Sequence, residues 1–226
     1  MKNLGGVVAV CVLAAALVAC DSAPVAVPAT SVTSATTATA TTATTTASLS
    51  DRLPKLVERA TFPRNAMADR GVAEPNEQRY AVSGMPQLCD FTADTGSGYR
   101  PGLYRKWGNE SFTLRQYVIG FAESTGEEVL DQLATAARDC STWTEKDLEI
   151  RVVQAVSVNR PDGVDAFLGR CLALMQNGRL HWICLGFMGY GNLVSCLTVS
   201  STAGFDATLA ELHALLPRAA ERLLKA

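Results

Sequence analysis

The pattern of apolar and polar positions divides the chain into helical and extended stretches. Val129, Leu130, Leu133, Ala134 and Ala137 recur at the spacing of one helical face. Ser124 and Glu127, or Thr125 and Glu128, stand just before them at capping-box spacing. A second helix is predicted from Ser50, as its cap, through Arg59, with Leu53, Leu56 and Val57 on one side. A third runs from about Asp206 to Lys225, marked by Leu209, Leu212, Leu216, Leu223 and Leu224. Pro217 lies inside it and should kink or split it, because proline lacks the N–H and crowds the preceding turn. Five runs rich in β-branched or aromatic residues read as strands: 111–121, 148–158, 166–177, 179–190 and 192–200. About six strands are expected in all. Leu168, Cys171, Leu172 and Met175 also fit a helical period, so a helix over 166–177 competes with a strand. The polar interval 61–79, punctuated by Pro63 and Pro75, reads as loop. Short glycine-containing turns between the strands imply antiparallel pairing. The expected fold is α+β: a mostly antiparallel sheet packed with two to three helices.

The N-terminus follows a different pattern. After Lys2, residues 5–19 are an uninterrupted apolar run, short for a membrane span and suited to a signal-peptide core. It ends in Leu17-Val18-Ala19-Cys20, which resembles the bacterial lipobox. That resemblance implies cleavage before Cys20 and a lipid attached to it. Residues 20–49 are almost entirely Ser, Thr, Ala, Val and Pro, and include Thr36-Thr37-Ala38-Thr39-Ala40-Thr41-Thr42. Such a segment has too little apolar surface to offset its ordering entropy, so it is expected to be a disordered tether open to O-glycosylation. The organisation is therefore a signal peptide (1–19), a lipid-anchored tether (20–49) and one disulfide-stapled domain (50–226). The expected location is the extracytoplasmic face of the cell membrane.

Composition narrows the function classes. The formal net charge is −2 and charged residues make up 19%, which leaves no positive excess for nucleic acid. Of seven cysteines, Cys11 goes with the signal peptide and Cys20 takes lipid. Cys89, Cys140, Cys171, Cys184 and Cys196 remain, an odd set in an oxidising setting. Asn177-Gly178 is the strongest short hairpin signal. Counted outward from it, Cys171 opposes Cys184 at a non-hydrogen-bonded pair, where side chains come closest. A three-residue Gly189–Gly191 loop would instead oppose Cys184 and Cys196, leaving two registers open. Cys89 with Cys140 is the natural second bridge, stapling the loop before the sheet to the end of the capped helix. Cys196 is then unpaired or competing.

Candidate chemistry is thin. Cys171, His181, Cys184 and Cys196 invite a zinc reading, but positions 181 and 184 of a strand point to opposite faces. Glu127, Glu128 and Asp131 are paired-carboxylate candidates for acid/base work, but they sit in a first helical turn, where carboxylates favour the helix dipole; a Cys–His nucleophile pair would need His181 or His213, and the cysteines are better explained as bridges. His181 reads as a sheet-surface histidine, and Trp143 and Trp182 as core or rim. No Gly-x-Ser-x-Gly elbow occurs, and Gly186–Gly191 lacks dinucleotide-binding spacing. No catalytic residue, metal or cofactor is expected.

Cys140 with Trp143, Val152-Val153-Gln154, Gly191-Asn192-Leu193-Val194 and the helix from Phe205 to Leu224 resemble, across residues 85–226, the extracellular sensor domain of PknH-type mycobacterial serine/threonine kinases, which also occurs in actinobacterial lipoproteins. The resemblance implies an α+β cleft with two disulfides and a ligand-sensing role without known catalysis. This chain departs from the family in its fifth cysteine, and no kinase is attached. The expected function is a lipid-anchored extracytoplasmic module, partnered by the membrane through its lipid and by an envelope ligand or protein. The alternatives are a lipid or glycolipid carrier with an apolar sheet–helix cleft, an envelope enzyme, and a surface interaction protein without a pocket.

Overall fold

Two capping boxes start the first two helices of the computed structural model. It describes residues 48–226 apart from 73, 81–90, 92, 96–97, 99, 139, 146–147, 155–157 and 177–178. The signal peptide, Cys20, nearly all of the tether, Cys89 and the Asn177-Gly178 turn lie outside the described residues. Helix α1, Leu49–Ala60, is capped by Ser48 and not by Ser50. The Ser48 hydroxyl accepts from the Asp51 N–H at 3.3 Å, and the Ser48 N–H donates to the Asp51 carboxylate at 3.2 Å. Ser50 has no acidic partner three residues on, which is why the cap falls two positions earlier. Helix α2, Gly126–Ala137, uses the Thr125/Glu128 pair of the two expected spacings, and buries Val129, Leu130, Leu133 and Ala137.

Eight strands form one antiparallel sheet. They are β1 (Asn76–Tyr80), β2 (Gly102–Gly108), β3 (Phe112–Gly120), β4 (Thr142–Glu145), β5 (Leu148–Gln154), β6 (Ala166–Gln176), β7 (Arg179–Tyr190) and β8 (Leu193–Ser201). Their order is β1-β2-β3-β8-β7-β6-β5-β4. All five expected strand runs are present. β6 is a strand because it pairs along its length with β7 and also with β5, a gain of ladder hydrogen bonds that no lone helix there offers. β1, β2 and β4 were not expected, and β1 corrects the loop reading of 61–79. That interval also holds a 3-10 turn, Ala68–Arg70.

The β7–β8 connection is a two-residue Gly191-Asn192 turn, not a three-residue loop from Gly189. Tyr190 pairs with Leu193, and Gly191 has φ 51°. Gly189 stays in the ladder because the first turn of α2 rests directly on it. A Cβ on Gly126 would lie 2.3 Å from the Leu193 carbonyl oxygen and 3.0 Å from the Gly189 Cα, and the Gly126 N–H donates to the Gly191 carbonyl at 2.7 Å. Gly126→Ala should therefore cost about 1–3 kcal/mol by overpacking against backbone that cannot yield, read as a lowered urea midpoint. A midpoint equal to the wild type would show that α2 can lift off the sheet.

The sheet is covered on both sides. On one face α1 packs against β2, β3 and β8, and α3 (Phe205–Leu224) against β7 and β8. The space between is filled by Phe62, Met67, Trp107, Leu114, Leu197, Leu212 and Leu216. On the other face α2 covers Ile119, Phe121, Leu185, Phe187, Val194 and Cys196. α3 continues through Pro217 as one helix, so the expected split does not occur. Leu212, Leu215, Leu216, Ala219 and Leu223 are buried on both sides of the proline, and their packing keeps the segment helical across it. Gly186 admits Leu216: a Cβ there would lie 2.6 Å from its Cδ2.

One polar knot sits inside this arrangement. Arg105, 4% exposed, points inward from β2. It donates to Glu77 at 2.7 Å, to Glu58 of α1 at 2.8 Å, and to the Phe62 carbonyl. Arg79 pairs with the same two glutamates. Burial pushes the Glu58 carboxyl up, but hydrogen bonds and charge from Arg79 and Arg105 outweigh it and hold the group below its ordinary value. Beside it the buried Gln116 accepts from the Phe62 N–H at 2.7 Å and donates to the Ser195 hydroxyl at 3.2 Å.

Candidate functional cleft

A disulfide staples the centre of the sheet. Cys171 and Cys184 oppose each other on β6 and β7 and form a disulfide, with Cα atoms 4.1 Å apart. Both lie in the core under α3. Cys140 is also disulfide-bonded, and Cys89, its expected partner, lies outside the described residues. Cys196 is free and buried. It opposes Phe187 and packs in the cluster beneath α2. Cys184 and Cys196 therefore occupy opposite faces of the sheet, which rules out the competing register. Burial pushes the Cys196 thiol up to about 12, so it stays protonated and unreactive.

The titratable residues weighed for catalysis are not brought together. Glu127, Glu128 and Asp131 are exposed on α2, and Glu128 is held in its capping box. His213 is exposed on α3, across the sheet from them. His181 is exposed near the start of β7. Trp182 packs edge-on against Phe205, ring centroids 5.1 Å apart, and Trp143 falls in β4. Among the described residues, no three His, Cys, Asp or Glu side chains converge as metal ligands.

A cleft of about 550 Å³ opens elsewhere, between the second half of α3 and residues 159–162. Leu216, Pro217, Ala220 and Leu224 form its floor, and Asn159, Asp162, His213 and Glu221 its rim. The facing loop is fixed by its own hydrogen bonds. Arg160 donates to the carbonyls of Val164 and Asp165. The Asp165 N–H donates to the Gly189 carbonyl, and its carboxylate accepts from the Gly191 N–H, both at 2.8 Å. Gly163, at φ 81°, makes the turn and lets Leu224 pack against it. Lys225, hydrogen-bonded to Glu221 at 2.5 Å, holds that carboxyl below its ordinary range, so the rim keeps a negative charge at neutral pH.

Pro217 also changes the chemistry of the wall. It has no N–H for the carbonyl of His213, one turn earlier, and both residues border the cleft. The wall thus sets a carbonyl that lacks its usual helical donor beside an imidazole and an apolar floor. The arrangement suits a ligand with an apolar body and a hydrogen-bond donor. Volume and lining are those of a small-molecule site. The sequence carried one signal for it: a proline four residues after a histidine, within an otherwise regular amphipathic helix. Pro217→Ala returns a donor to that carbonyl and should raise stability by about 1–3 kcal/mol. The check is thermal unfolding monitored by circular dichroism, and a lower melting temperature would mean the helix depends on its proline.

No family model matches the chain, and no curated protein matches it. Among solved structures, the chain is similar to the extracellular domain of PknH from Mycobacterium tuberculosis, at 12% identity over 78% of this chain and 94% of that one, with a TM-score of 0.49.

Proposed function

We propose that the protein is a lipid-anchored, extracytoplasmic ligand-binding module of a bacterial cell envelope, which takes its ligand in the cleft between α3 and residues 159–162. The cleft is the observation that carries the binding role, because it joins an apolar floor to an imidazole and a charged rim. The lipobox-like Leu17-Val18-Ala19-Cys20 supports the anchor. More than one acyl chain is needed for stable attachment, which lipobox processing supplies. A carrier with its cargo between sheet and helices has less support, since Phe62, Met67, Trp107 and Leu216 occupy that space.

The test has two arms. Cys20→Ser should release the protein from the membrane fraction, and retention of that variant would contradict the anchor. Fractionated envelope extract should raise the melting temperature of the wild type and not of His213→Trp, whose larger ring fills the cleft from an exposed position. Equal shifts for both, or none for either, would contradict the cleft.

A further inference from the structure

Across six strands, the sheet face beneath α2 carries cations and no described carboxylate. On β1, β2, β3, β6, β7 and β8 the side chains directed to that face include Lys106, Arg115 and Arg170, and no carboxylate among the described residues. The acidic residue of β1, Glu77, turns to the other face to meet Arg105. This segregation occurs in a protein whose net charge is −2. Lys106 and Arg115 are direct cross-strand partners, and Thr198 is the next residue in the same row. Like charges directly opposed on neighbouring strands destabilise a sheet unless something neutralises them. Among the described residues neither has a carboxylate partner. Arg115 is half-buried, so water screens it less than an ordinary surface arginine.

Hydroxyls and amides lie around this pair, with Glu74 and Glu110 at the edges of the adjoining recesses. One row further along, Thr113 pairs with Ser200, placing two hydroxyls beside the two cations. Lys106, Asn76, Asn109 and Thr113 border a recess of about 370 Å³. Glu74 stands on its rim and pairs with Arg64 at 3.4 Å. α2 rests chiefly on β6 and β7, so it leaves this end of β2 and β3 uncovered.

We propose that Lys106 and Arg115, with the hydroxyls of Thr113 and Ser200, bind the phosphate group of a ligand. The fork of Arg115 would take two phosphate oxygens while Lys106 adds a point charge. This site lies on the opposite face of the sheet from the α3 cleft and does not depend on it. Phosphate could reach it as a soluble monoester or as a lipid headgroup.

The experiment compares the full-length protein with K106Q/R115Q in calorimetric titrations at constant ionic strength. The probes are inorganic phosphate and dihexanoyl phosphatidylglycerol kept below its micelle concentration. Phosphate should bind the wild type and not chloride-matched buffer. Each cation removed should weaken it about tenfold or more, as expected for a charge-assisted hydrogen bond, while H213W should leave it unchanged. Binding by inorganic phosphate alone would identify a soluble ligand, and tighter binding of the short-chain lipid a headgroup. R170Q, which removes a cation from the same row three strands away, should change neither affinity by more than about twofold. Phosphate affinity that is undetectable in the wild type, or the same in K106Q/R115Q, would overturn the proposal.

Discussion

Replacing Cys171 and Cys184 together by alanine should lower the stability of the folded domain by about 3 kcal/mol or more. The bridge closes a loop with a sequence separation of 13, for which chain entropy alone gives about 3 kcal/mol. Both residues are also almost fully buried, at 1% and 0% exposure, so truncating them removes packing beneath α3. Hydrophobic neighbours on β6, β7 and α3 should keep the hairpin formed, leaving the domain folded but weaker. The measurement is guanidinium unfolding without reductant, so that the bridge at Cys140 stays closed in both proteins. A loss below about 1 kcal/mol would mean that the hairpin is set by its turn and ladder, and that the bridge constrains little.

Arg105→Met carries the second large effect. The arginine is inward-facing and satisfies Glu77, Glu58 and the Phe62 carbonyl at once. Removing one partner of a buried ion pair costs about 3–5 kcal/mol, because the other charge stays unpaired. Glu58 is 43% exposed and keeps Arg79, which brings the expectation down to about 2–3 kcal/mol. The pH dependence has a definite sign. The folded Glu58 carboxyl lies below its ordinary value, so its contribution is present above the usual glutamate range and is lost as pH falls through the folded value. The gap between wild type and Arg105→Met should therefore narrow on acidification below that range. Urea midpoints at neutral and acidic pH measure it, and a gap that stays constant would place the cost in packing and not in charge.

This knot also shows where sequence reading stopped. β2 alternates inward Leu103, Arg105 and Trp107 with outward Tyr104 and Lys106, but an arginine at an inward position disguises the period. Its partners come from α1 and β1, remote in sequence, and no local pattern announces them. β1 and β4 are short and polar and lie at the two edges of the sheet, where burial imposes no alternation. β3, β7 and β8 are legible because each is long and carries a buried run, whereas the half-buried β6 also fits a helical period and is settled by its pairing with β5 and β7. The Cys171–Cys184 register followed from simple counting outward from Asn177-Gly178. The competing register came from the density of glycines: Gly186 and Gly189 serve close packing by Leu216 and Gly126, and only Gly191 serves the turn. Pro217 was read for its effect on the helix, when its larger consequence is the carbonyl it leaves without its usual helical donor beside the cleft.

The most direct test of the account is native mass spectrometry of the full-length protein extracted from host membranes, wild type beside His213→Trp. The wild type should carry an additional non-covalent mass that disappears on denaturation and is absent from the variant. A wild type without added mass, or an identical adduct on both proteins, would contradict a ligand held against α3 at Pro217.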